Sequence, residues 1–313
     1  MAKLAILLLG LGLILLIACG GDSDSDDDAA TPVPSAVESA ACGPQRAHAP
    51  GEFVEAMTSG GIERSYILHV PPAYDAAKEM PLVLLFHGFA LSGRIMLDYT
   101  ELGALADREG FLLVSPTGTG DPPRWNQTST PGGADDVLFV NDLLDRLNEE
   151  LCIDQTRTFA TGYSNGGGMS MRLACDEPDR IRAAGLVAAV FLDCTPKVPL
   201  IAFHGTQDPL VAFEGRSGGA PEVGGSFPPI RDAVASWAAA LGCETDAPGV
   251  TSAGDRVELT AYNGCAAGDG ATQLYVVDGG GHTWPGADLL GDPAATTQEI
   301  DASELIWQFF SAR

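Results

Sequence analysis

A serine enclosed by two glycines, Gly162-Tyr163-Ser164-Asn165-Gly166, is the part of this sequence best suited to do chemistry. It follows a strand-like run and precedes a helix-like segment, so it occupies a sharp strand-to-helix turn. Small residues two positions before and after the serine let neighbouring backbone pass without collision. Ser164 is therefore a candidate nucleophile, and the amide of Asn165, at the helix start, is placed to stabilise an oxyanion. The pentapeptide alone could arise by chance, since glycine and serine are common.

A serine nucleophile needs a histidine base and an acid that orients this base. His282 stands in a glycine-rich turn after the last apolar strand and before the last helix, which favours it over the four other histidines. Asp208 follows an earlier strand and lies between Ser164 and His282 in the chain, so we predict that it holds the imidazole. Asp193 is the alternative acid, although its neighbour Cys194 favours a structural role.

The loop after an earlier strand, Phe86-His87-Gly88-Phe89, is predicted to supply a second oxyanion donor. The backbone amide of Phe89 is the predicted donor, because Gly88 lets the chain approach the substrate oxygen. His87, Trp125 and Trp284 are predicted to contact substrate. A flat indole suits a phenolic acyl group, and core packing is the alternative for both tryptophans.

The elements that must position these residues alternate between strand and helix. Short apolar runs bounded by turn residues predict strands, and an apolar face at helical spacing predicts helices. The predicted strands are 65–71, 81–86, 111–115, 157–161, 185–190, 200–204 and 274–278, and the predicted helices are 93–109, 135–151, 167–175, 229–241 and 297–310. This alternation predicts an α/β fold with a mostly parallel central sheet and helices on both faces.

Composition limits the size and the partners of the protein. A chain of 313 residues with 45% apolar residues suits one large domain, predicted here as residues 42–313. A net charge of −25 argues against nucleic acid and against anionic membrane surfaces as partners. Polyanionic substrates are also disfavoured, and we expect a monomer that acts on a polymer-derived ester.

The N-terminus has the layout of an export signal, with Lys3 followed by a short apolar run. The run ends in Leu16-Ile17-Ala18-Cys19-Gly20, which is similar to a bacterial lipobox. We therefore predict a lipoprotein signal over residues 1–19, with Cys19 lipid-modified as the only membrane attachment; an ordinary secretory signal is the alternative. Residues 20–41 are rich in Asp, Ser, Ala and Pro and are predicted to form a disordered tether. Calcium binding by these aspartates is disfavoured, since the glycine and glutamate of a calcium loop are missing.

Six cysteines remain after Cys19, an even number that fits disulfide pairing in an exported protein. Many pairings are possible, and chain neighbours favour Cys175–Cys194 and Cys243–Cys265, which leaves Cys42–Cys152. A zinc site is the alternative, but Cys-x-x-Cys and His-x-x-x-His patterns do not occur. We predict no metal and no cofactor.

Several motifs together resemble the polyhydroxybutyrate depolymerase and feruloyl esterase family of α/β-hydrolases. They are Arg64-Ser65-Tyr66 with Val70-Pro71, His87-Gly88, Trp125-Asn126, Asp135-Asp136-Val137, Gly162-Tyr163-Ser164-Asn165-Gly166-Gly167, His204-Gly205-Thr206-Gln207-Asp208 and Gly280-Gly281-His282-Thr283-Trp284-Pro285-Gly286. The resemblance implies an exported carboxylic-ester hydrolase with Ser164, Asp208 and His282 as its triad. Its substrates would be feruloyl or acetyl esters of plant polysaccharide, or hydroxyalkanoate polyester and oligomers. The bulky segment Phe89-Ala90-Leu91 departs from the small or polar residues expected after His-Gly.

Two other functions fit parts of the same pattern. A serine peptidase uses the same three residues, but it usually needs an added specificity element. A non-catalytic surface binding protein could keep the fold while losing one member of the triad. All three residues are present in this chain, so ester hydrolysis is the favoured prediction.

Overall fold

The computed structural model describes residues 42–218, 225–265, 272–290 and 294–313. The predicted signal peptide, Cys19 and the acidic segment 20–41 lie outside the described residues. Within the described ranges, no helix combines the length and the apolar character needed to cross a membrane.

A ten-stranded sheet forms the centre of the described fold. Its strands are β1 Gly51–Ser59, β2 Ile62–Val70, β3 Met80–Phe86, β4 Leu112–Thr117, β5 Ile153–Tyr163, β6 Ala183–Val187, β7 Leu200–Gly205, β8 Gly249–Ser252, β9 Val257–Tyr262 and β10 Thr272–Val277. They are ordered β1-β2-β4-β3-β5-β6-β7-β10-β9-β8 across the sheet. The central strands from β4 to β10 are parallel to one another, and antiparallel pairs border them on both sides. The prediction of a mostly parallel central sheet is therefore confirmed.

Helices cover both faces of this sheet. They are α1 Gly93–Thr100, α2 Leu102–Glu109, α3 Asp136–Glu150, α4 Asn165–Asp176, α5 Ile230–Ala240 and α6 Ala302–Ser311, and a 3-10 turn covers Pro44–Arg46. Val83 and Leu85 of β3 pack with α1, α2 and α6, whereas Leu84 and Phe86 pack with α3 and α4. Because alternate strand residues point to opposite faces, a strand that is buried on both faces must be apolar throughout.

Two features of the fold differ from the sequence prediction. The single predicted helix 93–109 is two helices, because Glu101 adopts a left-handed conformation with φ 53° and interrupts the helical path. The strands β1, β8 and β9 were not predicted. The residues of β1 alternate between half-buried and exposed, and those of β8 are all exposed, so neither carries the apolar run on which the strand prediction depends.

Three disulfides join the six cysteines: Cys42–Cys152, Cys175–Cys194 and Cys243–Cys265. The predicted pairing is confirmed, and the zinc alternative is wrong for these residues because their thiols are consumed. Cys42–Cys152 spans 110 residues and links the start of the described chain to the residue before β5.

Candidate active site

Ser164 lies between β5 and α4, at the carboxyl edge of the parallel strands. Its backbone has φ 53° and ψ −117°, a strained combination for a residue with a side chain. A β-carbon added to Gly162 would collide with the carbonyl oxygen of Gly166, and one added to Gly166 would collide with that of Phe86. The two glycines therefore allow the strained turn to fit against the end of β3.

Asp208 and His282, which are far apart in the chain, form a buried pair at this edge. His282 Nδ1 lies 2.7 Å from Asp208 Oδ2, and the Asp208 side chain is fully buried. Asp208 Oδ1 accepts hydrogen bonds from the backbone amides of Leu210 and Val211, each at 2.8 Å. Burial alone would raise the pKa of Asp208, but the hydrogen bond and charge of His282 and the Val211 amide together hold this pKa below its ordinary value. The carboxylate is thus charged, and it orients the imidazole with Nδ1 protonated.

A second histidine, His204, contacts the same carboxylate from β7. Its Nε2 lies 3.4 Å from Asp208 Oδ2 but donates its hydrogen bond to the carbonyl oxygen of Val211 at 2.8 Å. Burial lowers the pKa of His204, which keeps the ring neutral. His282 is therefore the histidine that donates a hydrogen bond to Asp208.

The hydroxyl of Ser164 has no hydrogen-bond partner among the described residues, so its contact with His282 is not formed. Such contacts often tighten only when substrate binds. Tyr163 holds the two segments near each other, because its hydroxyl donates to the His282 carbonyl oxygen at 2.7 Å. Its ring also lies against the loop 87–89 after β3, which we call the oxyanion loop: a β-carbon added to Gly88 would come within 2.9 Å of this ring. Tyr163 thus contacts the oxyanion loop and the loop that carries His282, which we call the base loop, and it directly precedes Ser164 in the chain.

The backbone amides of Phe89 and Asn165 are available to an incoming oxygen, since neither donates a hydrogen bond to another described residue. The Asn165 side chain is fixed by Trp125: its Oδ1 accepts from the Trp125 amide at 2.7 Å and its Nδ2 donates to the Trp125 carbonyl at 3.1 Å. This double hydrogen bond ties the start of α4 to the loop that contains Trp125. The roles of the two amides remain a prediction.

The structure contradicts the predicted substrate contact of His87. The ring is completely buried, its Nε2 accepts from the Gly118 amide at 2.9 Å, and its Nδ1 donates to the Gly88 carbonyl at 2.7 Å. Burial lowers the pKa of His87 to about 4, so the ring stays neutral at pH 7. His87 therefore fixes the oxyanion loop from below and cannot touch substrate in this arrangement.

The two predicted tryptophans have different places. The Trp284 ring is buried, and its Nε1 donates to Ser303 Oγ at 3.1 Å, so Trp284 is a core residue and the predicted substrate contact is wrong. The Trp125 ring is also buried and packs against Phe86, although the residue contributes to the wall of a cavity described below.

The alternative acid, Asp193, is exposed. It lines a cavity of about 600 Å³ beside Cys194 whose walls include neither Ser164 nor His282. No hydrogen bond or ion pair joins Asp193 to a histidine in the part of the chain that the structure describes. The geometry therefore favours Asp208 as the partner of the base.

A second cavity, of about 580 Å³, opens beside the two candidate oxyanion amides. We call it the loop cavity, because the loop 119–134 forms its wall together with Phe89 and Asn165. Phe89 is 52% exposed there. A buried ion pair anchors the loop: Asp136 accepts from Arg64 Nη2 at 2.6 Å and from the Asn126 amide at 2.7 Å.

Sequence reasoning missed the contributions of Tyr163 and of the loop 119–134. The loop carried the Trp125-Asn126 motif, but its role depends on contacts with Asn165 and Asp136 that no local pattern encodes. The two amides that bind Asp208 did leave a signal, since an aspartate commonly accepts from the backbone two residues later.

Comparison with known proteins gives consistent matches. A family model described as Esterase PHB depolymerase matches residues 64–212. Feruloyl esterase D of Neurospora crassa is 27% identical over 300 residues, which cover 89% of this chain and 92% of that protein. Feruloyl esterase B of Piromyces equi is 29% identical over 233 residues, 70% of this chain and 42% of that protein. Among solved structures, the acetyl xylan esterase from Aspergillus awamori has a TM-score of 0.57 and 16% identity, over 74% of this chain and 94% of that one.

The sheet, the covering helices and these matches define a carboxylic-ester hydrolase with the α/β-hydrolase fold. Its substrate accordingly contains an ester bond. Within that class, the chain is similar to the polyhydroxybutyrate depolymerase and feruloyl esterase family, whose model matches residues 64–212. The sequence predictions of the family, the fold and the type of enzyme are confirmed.

Proposed function

We propose that this protein is an exported serine esterase whose catalytic triad is Ser164, His282 and Asp208. The observation that carries the proposal is the buried 2.7 Å hydrogen bond between His282 and Asp208, at the same edge of the sheet as the strained Ser164. Strain at a residue with a side chain is a feature of functional sites. The chain order of serine, acid and histidine is that of α/β-hydrolases.

The mechanism is a two-step acyl transfer. Ser164 Oγ attacks the ester carbonyl carbon while His282 takes its proton, and the amides of Phe89 and Asn165 stabilise the oxyanion. His282 returns the proton to the alcohol oxygen as the alcohol leaves. Water then attacks the acyl-enzyme with His282 as base, which releases the acid and restores Ser164.

The position of His282 also separates the two ends of the substrate. The alcohol must lie on the His282 side, because His282 protonates the alcohol oxygen. The acyl group then extends away from His282, toward the loop cavity, whose walls include Phe89 and Asn165 but no residue of the His282 loop.

The size of the loop cavity and the exposed Phe89 ring favour acyl groups larger than acetyl. We therefore rank feruloyl esters of plant polysaccharide first among the substrates, ahead of acetyl esters and hydroxyalkanoate polyester or oligomers. Two similar proteins carry the name feruloyl esterase, which supports this order.

The test compares the wild-type domain with Ser164→Ala on methyl ferulate, acetylated xylan and hydroxybutyrate oligomers. We expect release of ferulate at the highest rate, and a loss of about 10³-fold or more in Ser164→Ala. Ser311→Ala, a surface serine on α6, serves as the matched control and should retain activity. Full activity in Ser164→Ala would contradict the triad, and binding without turnover by the wild type would favour a binding protein.

A peptidase remains the second enzymatic reading of the same residues. The described residues do not favour it by a specific contact, and the family matches are esterases. A panel of peptide amides beside the ester panel separates the two activities, since a peptidase would cleave amides at rates comparable with esters.

Export and anchoring complete the proposal. Three disulfides are typical of proteins outside the reducing cytosol. We assign residues 1–19 to a lipoprotein signal, Cys19 to lipid attachment, 20–41 to a tether and 42–313 to a monomeric catalytic domain. Mass analysis of the mature N-terminus checks this assignment: a diacylglyceryl-modified Cys19 supports it, and an unmodified N-terminus contradicts it.

A further inference from the structure

The loop cavity contains a single charged residue, and its charge is positive. Of the residues in its wall, only Arg124 carries a charge. This is notable in a chain with 42 acidic and 17 basic residues, in which an arginine meets a surplus of carboxylates. A local positive site in an acidic protein concentrates the attraction for an anion at one place.

The Arg124 guanidinium is also unpaired within the described ranges, where its side chain forms no hydrogen bond, ion pair or ring contact. By contrast, nine arginines of the described residues pair with a carboxylate: Arg64, Arg94, Arg108, Arg146, Arg157, Arg172, Arg180, Arg231 and Arg256. Arg182 is similarly unpaired, but it lines a different cavity, beside Arg157 and Pro178.

Backbone contacts hold Arg124 at the cavity wall. Thr119 and Arg124 exchange two backbone hydrogen bonds, at 3.1 and 2.9 Å, which closes a short hairpin. The guanidinium lies over Gly120, since a β-carbon added there would be 3.4 Å from Arg124 Nη1. Gly120 lines the same cavity, so the charged group lies at this wall.

We propose that Arg124 is a specificity-determining residue that binds a carboxylate at the far end of the acyl group. At equal acyl length, the site then favours half-esters of dicarboxylic acids over uncharged esters, and water cleaves the half-ester to the dicarboxylate and the alcohol. The inference rests on the proposed function, because it assigns the loop cavity to the acyl group. A guanidinium suits this task, since its planar fork donates two parallel hydrogen bonds to a carboxylate.

The test uses 4-nitrophenyl monoesters of glutaric, adipic and suberic acids beside uncharged 4-nitrophenyl esters of equal acyl length. For each length, the ratio of kcat/KM for the charged ester to that for the uncharged ester is measured. We expect this ratio to fall about tenfold in Arg124→Gln for the best chain length, mainly through KM. Added salt should lower the ratio in the wild type and have little effect on it in the variant.

Arg182→Gln is the matched control, because it removes an unpaired arginine outside the loop cavity, and it should keep the wild-type ratio. An unchanged ratio in Arg124→Gln, while the uncharged esters are still hydrolysed, would overturn this inference and leave the proposed function intact. Whether Ser164→Ala loses hydrolysis of every ester tests the proposed function, and it does not test the role of Arg124. A wild-type ratio below one at every chain length would also contradict the carboxylate site.

Discussion

Tyr163 connects the nucleophile turn to the base loop through one hydroxyl. In Tyr163→Phe the His282 carbonyl oxygen loses the 2.7 Å hydrogen bond that it accepts from this hydroxyl. We expect kcat to fall about tenfold with little change in KM, because the imidazole loses its position and substrate contacts remain. The unpaired carbonyl should also lower the free energy of unfolding by about 1–3 kcal/mol. Steady-state kinetics and denaturant unfolding measure both effects.

Tyr66→Phe provides a control of the same chemistry. The Tyr66 hydroxyl is buried and has no hydrogen-bond partner, so its removal should leave activity unchanged and stability equal or higher. If the two variants had the same kcat and the same stability, Tyr163 would have no special positioning role.

The sequence predicts some contacts of the individual site residues and does not predict others. The approach of Asp208 to His282 was predictable because each residue follows a strand of the parallel sheet. The carboxyl ends of such strands lie at the same edge. The contact from Tyr163 to the His282 carbonyl, and the burial of His87, depend on how separate loops pack. A histidine next to a glycine at a strand end has the same local sequence whether it faces substrate or the interior.

At the scale of elements, the oxyanion loop after β3 depends on the neutral His87 beneath it. The pKa of His87 is about 4 in the fold, against an ordinary value of 6.5. The unfolded chain therefore binds more protons between these values, and the fold loses stability as the pH falls from 6.5 to 4. The shift corresponds to about 3 kcal/mol of destabilisation.

His87→Gln tests this loss. The variant should be less stable at neutral pH, yet its free energy of unfolding should vary less between pH 6.5 and 4. Part of the slope should remain, because burial also lowers the pKa of His204. Asp208, whose pKa is held below its ordinary value, adds its own loss at still lower pH. Denaturant unfolding at several pH values gives the slopes, and equal slopes in the two proteins would contradict the role of His87.

The elements themselves were predictable where burial on both faces made them apolar, as in β3 and β7. They were not predictable at the margins of the sheet. The strand β8 is fully exposed, and it is defined by its pairing with β9, which is a tertiary property. Glu101 likewise carries no sign that it separates α1 from α2 through a left-handed backbone.

At the scale of the whole molecule, the Cys42–Cys152 bridge closes the longest loop of the three disulfides, 110 residues against 19 and 22. In the chain-entropy account, its loss costs about 5 kcal/mol, compared with about 3 kcal/mol for either of the others. Replacement of both partners by alanine should therefore lower the unfolding midpoint most for Cys42 and Cys152. Urea unfolding of the three double variants checks this order.

The double variant of Cys243 and Cys265 is the natural reference, since its bridge stabilises a short segment and leaves the start of the chain unaffected. An equal loss for both double variants would mean that loop length does not decide the contribution of these bridges.

The left-handed backbone at Ser164 lowers the stability of the fold at a residue that the proposed reaction requires. A glycine would adopt φ 53° freely, so the serine costs of order 1–3 kcal/mol at this position. Directed evolution under heat alone would accordingly reward replacement of this serine by glycine, which removes the nucleophile. A screen for more thermostable variants of this enzyme must therefore also select for product formation in every round.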